Sequence, residues 1–312
     1  MLKKILSTKS LYVIFFAIIL YALLLFIPDL NNLKIAFKSI LPQTHLKILS
    51  LIFLSFVFKF YRWLFYIKRL EVKLEFLDSL LVFLSGLTMS ISPGKLGEFI
   101  KAYLLKEKCN IELTKTMAII PAERVIEFST LITLFITFYA SIYLVNSFAG
   151  NILLVLFFFI FLFTFQFISK KFLILIIEKT KYLKLNPKNI KETIINLNKL
   201  LSVKNDSIIF IVSILAWLCE FSAFYILLNS IEKNIPYLKT FFIYSASIVI
   251  GALSFLPGGI GATEGTLIYS LNRFAVNNDI SIAVSVIIRT FTLWFPIVIG
   301  ILSMSIFLKR KG

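Results

Sequence analysis

The stretch LSFLPGGIGATEGTLIYSL, residues 253–271, places a proline, four glycines and a glutamate inside an otherwise apolar segment. A second stretch, MSISPGKLGEFIKAYLL at residues 89–105, interrupts itself in the same way. Proline has no N–H to donate and disfavours helix in the residue before it, so each stretch reads as a helix that stops and restarts. Ser90, Pro93, Gly94 and Gly97 align with Ser254, Pro257, Gly258 and Gly261. The register continues beyond the breaks, because Arg124 follows Gly97 by 27 residues and Arg289 follows Gly261 by 28. Pro is well suited to the first position of a helix, so new half-helices are expected at Pro93, with Ser92 as its cap, and at Pro257.

The rest of the chain says where such breaks would sit. Hydrophobic residues make up 59% of the 312, with 34 Phe, and the mean hydropathy is +0.93. Apolar runs such as Leu11 to Pro28, Met117 to Val145, Ile152 to Ile168 and Ile282 to Leu308 approach or exceed the ~18 residues of a membrane span. The opening MLKKILSTKS followed by an apolar run resembles a signal peptide, but Phe26-Ile27-Pro28-Asp29 offers no small-residue cleavage site, so an uncleaved first span is expected. Two cysteines, Cys109 and Cys219, and one histidine, His45, give neither a disulfide framework nor a metal spacing. There is no Gly-x-Ser-x-Gly and no Walker A motif. No enzyme activity, cofactor or metal is expected.

The formal charge of +17 is a topology signal. Apolar segments fall at about 11–28, 46–67, 76–105, 117–145, 150–168, 207–229, 239–271 and 281–308. Let the broken segments 76–105 and 239–271 be helical hairpins that enter and leave on one side, with the N-terminus cytoplasmic. The cytoplasmic pieces 1–10, 68–76, 101–116, 169–206 and 309–312 then carry 22 Lys/Arg, against six in external loops and five within apolar segments. That asymmetry obeys the positive-inside bias, whereas a straight crossing for each broken segment puts the nine lysines of 169–206 outside. Two short full crossings per broken segment give the same parity. With no soluble basic module, nucleic acid is not an expected partner. Within 169–206, Ile190, Ile194, Leu197 and Leu201 recur at helical spacing after Asn186-Pro187, which predicts a cytoplasmic amphipathic linker at the membrane surface.

The expected fold is an all-α polytopic membrane protein with six crossings, two broken hairpins and both termini cytoplasmic. It forms one membrane domain: a repeat at about 46–145, the linker 169–206, and an inverted repeat at about 207–308. Discontinuous helices at matched positions of inverted repeats point to a transport site near the bilayer midplane. The candidate breaks are Pro93, Gly94, Gly97, Pro257, Gly258, Gly259 and Gly261. The candidate substrate-binding charges are Lys95, Glu98, Glu123, Arg124, Glu127, Glu264 and Arg289, with Glu220 a candidate for coupling. Ionisable groups in spans are costly and face the protein interior. Glu98 and Glu264 either hold the arginines while the site is empty or take up a proton. Lys59 and Arg62 lie near a span's end, where long cationic side chains snorkel to water.

Pro-Gly-x-x-Gly-Glu at 93–98, Glu-Arg at 123–124 and Pro-Gly-Gly-x-Gly-x-x-Glu at 257–264 resemble the lysylphosphatidylglycerol synthase transmembrane, or flippase-like, family. The resemblance covers roughly residues 10–308. It implies movement of an anionic phospholipid or polyprenyl-phosphate lipid between leaflets, with membrane lipids as partners and a glycosyltransferase or lipid-modifying enzyme as a further one. It also implies residence in a prokaryotic plasma (inner) membrane. No extramembrane segment of these 312 residues exceeds about 40 residues, so no counterpart of the synthase's aminoacyl-transferring domain is expected within them. The same residues suit a secondary transporter of a small soluble anion, or a non-catalytic membrane subunit of a glycosyltransferase.

Overall fold

A computed structural model describes residues 40–143, 171, 174–175, 187–201, 203–231 and 235–310. The predicted spans at 11–28 and 150–168, and most of 169–186, lie outside the described residues. What is described consists of helices and turns, with no strand among the described residues. Four helical stretches are long and apolar enough to cross a bilayer: Pro42–Arg69, Leu113–Tyr143, Ser207–Ile231 and Asn278–Arg310. Between them lie shorter apolar helices, Phe76–Met89 and Tyr237–Leu253, which fall below the ~20 residues a crossing needs.

In chain order, the helices are α1 (Pro42–Arg69), α2 (Phe76–Gly86), α3 (Ile100–Cys109), α4 (Leu113–Met117), α5 (Ile119–Tyr143), α6 (Pro187–Leu200), α7 (Val203–Ile231), α8 (Tyr237–Leu253), α9 (Ala262–Arg273), α10 (Asn278–Arg289) and α11 (Phe295–Arg310). The order long helix, short helix, break, short helix, long helix therefore occurs twice. On α1, Ile48, Ile52, Phe56, Phe60 and Trp63 are buried at helical spacing while Phe53, Leu54, Val57 and Tyr61 are exposed. A helix apolar on both its buried and its exposed face is one solvated by lipid.

The described residues cluster into two compact units. The first takes the chain through Phe53, Thr88–Gly97 and Cys219–Val298; the second takes Leu54–Leu87, Glu98–Leu218 and the chain from Ile299. In the second unit α2 packs on α3, and α6 packs on α4 and α5. Ile190, Leu197, Leu200 and Leu201 are buried there, and Asn196 donates to the Thr114 carbonyl at 3.3 Å. The apolar stripe of the amphipathic linker is thus covered by protein. Lys199 lies 2.7 Å from Glu71 and holds that exposed carboxyl below its ordinary range by hydrogen bond and charge.

Prolines shape both long helices of the candidate site. Pro121 cannot donate to the Met117 carbonyl and its ring crowds it, and α4 ends at Met117. Pro296 has the same relation to Thr292, and the chain answers with a π-helical turn over Thr290–Trp294. That turn places Leu293 in a buried apolar cluster of the first unit with Ile91 from one break and Ile260 from the other. The two breaks therefore meet through Ile91 and Ile260, on the side chain of Leu293.

In the same unit α8 and α9 pack closely because Gly251 and Gly259 carry no side chain. A Cβ on Gly251 would land on the Thr263 hydroxyl. Gly259 has φ +66°, and a Cβ there would meet the Gly251 backbone at 3.2 Å, so both the turn and the approach require glycine. Gly251→Ala is expected to cost ~1–3 kcal/mol as an overpacked contact. Adding Thr263→Ala should return most of the loss, read as the unfolding midpoint in detergent; a single variant as stable as wild type would contradict this packing.

Candidate functional site

Neither half-helix begins at its proline. Pro93–Phe99 is a 3₁₀ segment and α3 starts only at Ile100; Pro257–Gly259 is a 3₁₀ turn and α9 starts at Ala262. The delay follows from left-handed residues after each proline, Lys95 at φ +55° in one and Gly258 at φ +60° in the other, which an α-helix does not accommodate. Ser92 does act as a local cap: its Oγ accepts from the Gly97 N–H at 2.7 Å and donates to the Met89 carbonyl at 2.6 Å.

In the first unit, the carboxylate of Glu264 occupies the start of α9. Its Oε2 accepts from the Gly261 N–H at 2.7 Å, and its Oε1 accepts from Arg289 Nε at 2.7 Å. Arg289 also donates through Nη2 to the Gly258 carbonyl. Both side chains are buried, at 0% and 6% exposure. The positive end of this half-helix is thus met by the protein's own anion. Glu220 on α7 is buried, and on the same helix the Phe224 ring stacks on Tyr244 of α8 at 4.9 Å. Lys95 sits partly buried at the tip of the first break.

In the second unit, six charged side chains form one alternating chain. Arg62 donates to Ser213 Oγ at 2.9 Å and to Glu127. Glu127 pairs with Arg124 Nη1 at 2.7 Å, and Arg124 Nη2 pairs with Glu98 at 3.2 Å. Glu98 shares its Oε2 with Lys101 Nζ at 3.2 Å, and Lys101 ends the chain on Glu123 at 2.6 Å. Lys101 Nζ also lies 5.0 Å from the Trp63 ring centroid, within cation–π range. Three cations and three carboxylates sum to zero formal charge. Arg124 is the accessible member, with 25% of its side chain exposed against 10% or less for the others.

Of the predicted charges, Glu98, Glu123, Arg124 and Glu127 are thus brought together, and Glu264 is brought to Arg289. In each half the carboxylate of the break pairs with the arginine of the following long helix. Two members escaped the sequence reading. The sequence places Lys101 in the cytoplasmic piece 101–116 and Arg62 at a snorkelling position; in the structure both are 3% exposed and bonded to carboxylates. A usable signal for Lys101 was its i,i+3 spacing from Glu98. Lys59 lies 5.5 Å from the Trp217 ring centroid, so it too turns to the protein. Among the described residues no group of three His, Cys, Asp or Glu is placed to hold a metal ion.

The break, the carboxylate beyond it and the arginine it binds are one device used twice, and comparison with known proteins gives it a family. The model of the lysylphosphatidylglycerol synthase TM region matches residues 13–300. The chain belongs to that family. Relatives include a UPF0104 membrane protein of Methanocaldococcus jannaschii, 26% identical over 220 residues, which are 67% of this chain and 89% of that protein. A UPF0104 membrane protein of Pyrococcus horikoshii is 26% identical over 110 residues, 35% of this chain and 32% of the relative. One from Methanothermobacter thermautotrophicus is 26% identical over 96 residues, 31% and 28% of the two chains. The family and the four span-length helices make this an integral, multi-pass membrane protein.

Proposed function

We propose that this protein moves an anionic amphipathic lipid, a phospholipid or a polyprenyl phosphate, between the leaflets of a prokaryotic plasma membrane. The observation that carries the reading is the chain of six charges inside a lipid-solvated helical protein, open to the outside at Arg124. The barrier to crossing a bilayer lies in the headgroup, because a charge in hydrocarbon is costly. Tails left in the bilayer avoid ~0.8 kcal/mol per CH₂ exposed to water. A polar path beside lipid lowers the first cost without incurring the second.

In this reading Arg124 makes the first contact with the phosphate. Glu123 and Glu127 hold their cations in place. Arg289 and Glu264 keep the second break in shape. Six crossings, cytoplasmic termini and inverted repeats would let one repeat rock against the other and expose the path to each leaflet in turn. Any glycosyltransferase or lipid-modifying partner would use or supply the lipid at one face.

The test is lipid movement in proteoliposomes, read with fluorescent phosphatidylglycerol, phosphatidylcholine or a short polyprenyl phosphate and a membrane-impermeant quencher. Wild type is expected to accelerate an anionic lipid and leave phosphatidylcholine unaffected. Arg124→Gln should lose at least tenfold of that rate with the protein still folded. No acceleration of either anionic lipid by folded wild type, or an Arg124→Gln rate equal to wild type, would overturn the reading.

A further inference from the structure

A chain of three cations and three carboxylates is a poor host for an anion. When a monoanionic headgroup joins it, the interior carries a net negative charge, which a low-dielectric site resists strongly. Charge balance returns if one carboxylate leaves for water or takes up a proton. The carboxylates are all nearly buried, so departure would mean unfolding the break, and protonation is the local route.

The geometry selects which carboxylate. Glu123 holds Lys101 at 2.6 Å, and Glu127 holds Arg124 at 2.7 Å as well as Arg62. Glu98 is divided between two cations, Lys101 and Arg124, at 3.2 Å each. These are the longest links of the chain, and one of them ends on the partly exposed Arg124. The headgroup that reaches Arg124 therefore competes with Glu98 first. The charged groups facing Glu98 include Lys101 from α3 and Arg124 from α5, with Glu123 and Glu127 behind them on α5; Lys95 precedes it in its own 3₁₀ segment. Glu264 binds the Gly261 N–H, and its arginine is only 6% exposed, so a headgroup does not reach that pair first.

Resting on the reading of Arg124 as the headgroup contact, we propose that a proton is the second substrate of this protein. Glu98 takes up one proton each time a monoanionic headgroup replaces it on Arg124. The balance is explicit: three cations face two carboxylates, one carboxylic acid and one phosphodiester, and the interior stays neutral. Cargo and proton then move together, so a pH difference across the membrane drives anionic lipid toward the more alkaline side. By linkage, binding tightens as pH falls, by about tenfold per pH unit between the pKa of Glu98 in the free and in the loaded protein.

The experiment is calorimetric titration of the full-length protein in detergent with dihexanoylphosphatidylglycerol, a fixed monoanion between pH 5 and 8. Running it in two buffers of different ionisation enthalpy counts the protons taken up. Wild type is expected to take up about one proton per lipid, with affinity falling about tenfold per pH unit over part of that range. Glu98→Gln should bind the same probe without proton uptake and with a flat pH profile. Binding by wild type with no proton uptake and no pH dependence overturns the coupling and leaves the anion site standing. Proton uptake by Glu98→Gln equal to wild type overturns the assignment to Glu98. Absence of binding by wild type throughout the range overturns the anion site itself, and the coupling with it. The wild-type proton count decides the proposal even where Glu98→Gln does not fold.

Discussion

Lys101→Met is expected to destabilise the protein by roughly 3–5 kcal/mol, the cost of leaving a buried charge without its partner. The lysine is 3% exposed and its Nζ lies 2.6 Å from Glu123, itself 1% exposed. Methionine preserves much of the apolar stem and removes the charge. The stem itself is well fitted: a Cβ on Gly86 would meet Lys101 Cδ at 2.7 Å, so the side chain lies flat against that glycine. What the variant loses is therefore electrostatic. Glu98 keeps Arg124, but Glu123 loses the cation that ends the chain. The double variant Lys101→Met/Glu123→Leu should recover at least half of the loss, because removing both partners of a buried pair is far less costly than removing one. Denaturant titration in micelles measures each value. A single variant within 1 kcal/mol of wild type, or a double variant worse than the single, would show that the chain of charges does not hold this region together.

The fate of Lys101 shows where sequence stops being enough. The breaks were legible because Pro93 and Pro257 sit in apolar runs where nothing else interrupts the helix. The pairing of Glu98 with Arg124, and of Glu264 with Arg289, was legible as a shared register. Membership of Lys101 and Arg62 was not. Both lie where a span gives way to a basic stretch, and a lysine there reads equally as a loop residue, a snorkelling one or a buried partner. Only the packing of α3 against α2, and the contacts of Arg62 with Glu127 on α5 and Ser213 on α7, decide, and hydropathy is blind to them. Helix starts were misplaced for a local reason: proline favours an α-helical first turn, yet Lys95 and Gly258 adopt left-handed backbone angles just beyond it. The periodicity at 190–201 does not say whether lipid or protein covers the apolar stripe.

Glu264→Ala is the other large effect, and it separates bracing from binding in the second half. This side chain, 0% exposed, satisfies the Gly261 N–H at the start of α9 and the guanidinium of Arg289. Loss of the cap alone costs about 1 kcal/mol, and the stranded arginine adds roughly 3–5 kcal/mol. Glu264→Gln keeps an acceptor for Gly261 and loses only the charge, so it should fall between wild type and Glu264→Ala. Glu264→Ala/Arg289→Met removes both charges and should regain at least half of the loss. If Arg289 is a brace, Arg289→Met lowers stability by removing the guanidinium that the buried Glu264 binds, and any loss of lipid movement follows the loss of folded protein. If Arg289 instead binds the headgroup directly, Arg289→Met keeps most of the stability while transport falls at least tenfold. Melting and transport measured on the same preparation of each variant distinguish these outcomes. The sealed geometry of the pair, with the Gly258 carbonyl as a third partner, places the expectation on the first: Arg289 is occupied by the second break's own groups, and the partly exposed Arg124 on α5 is left to meet the lipid.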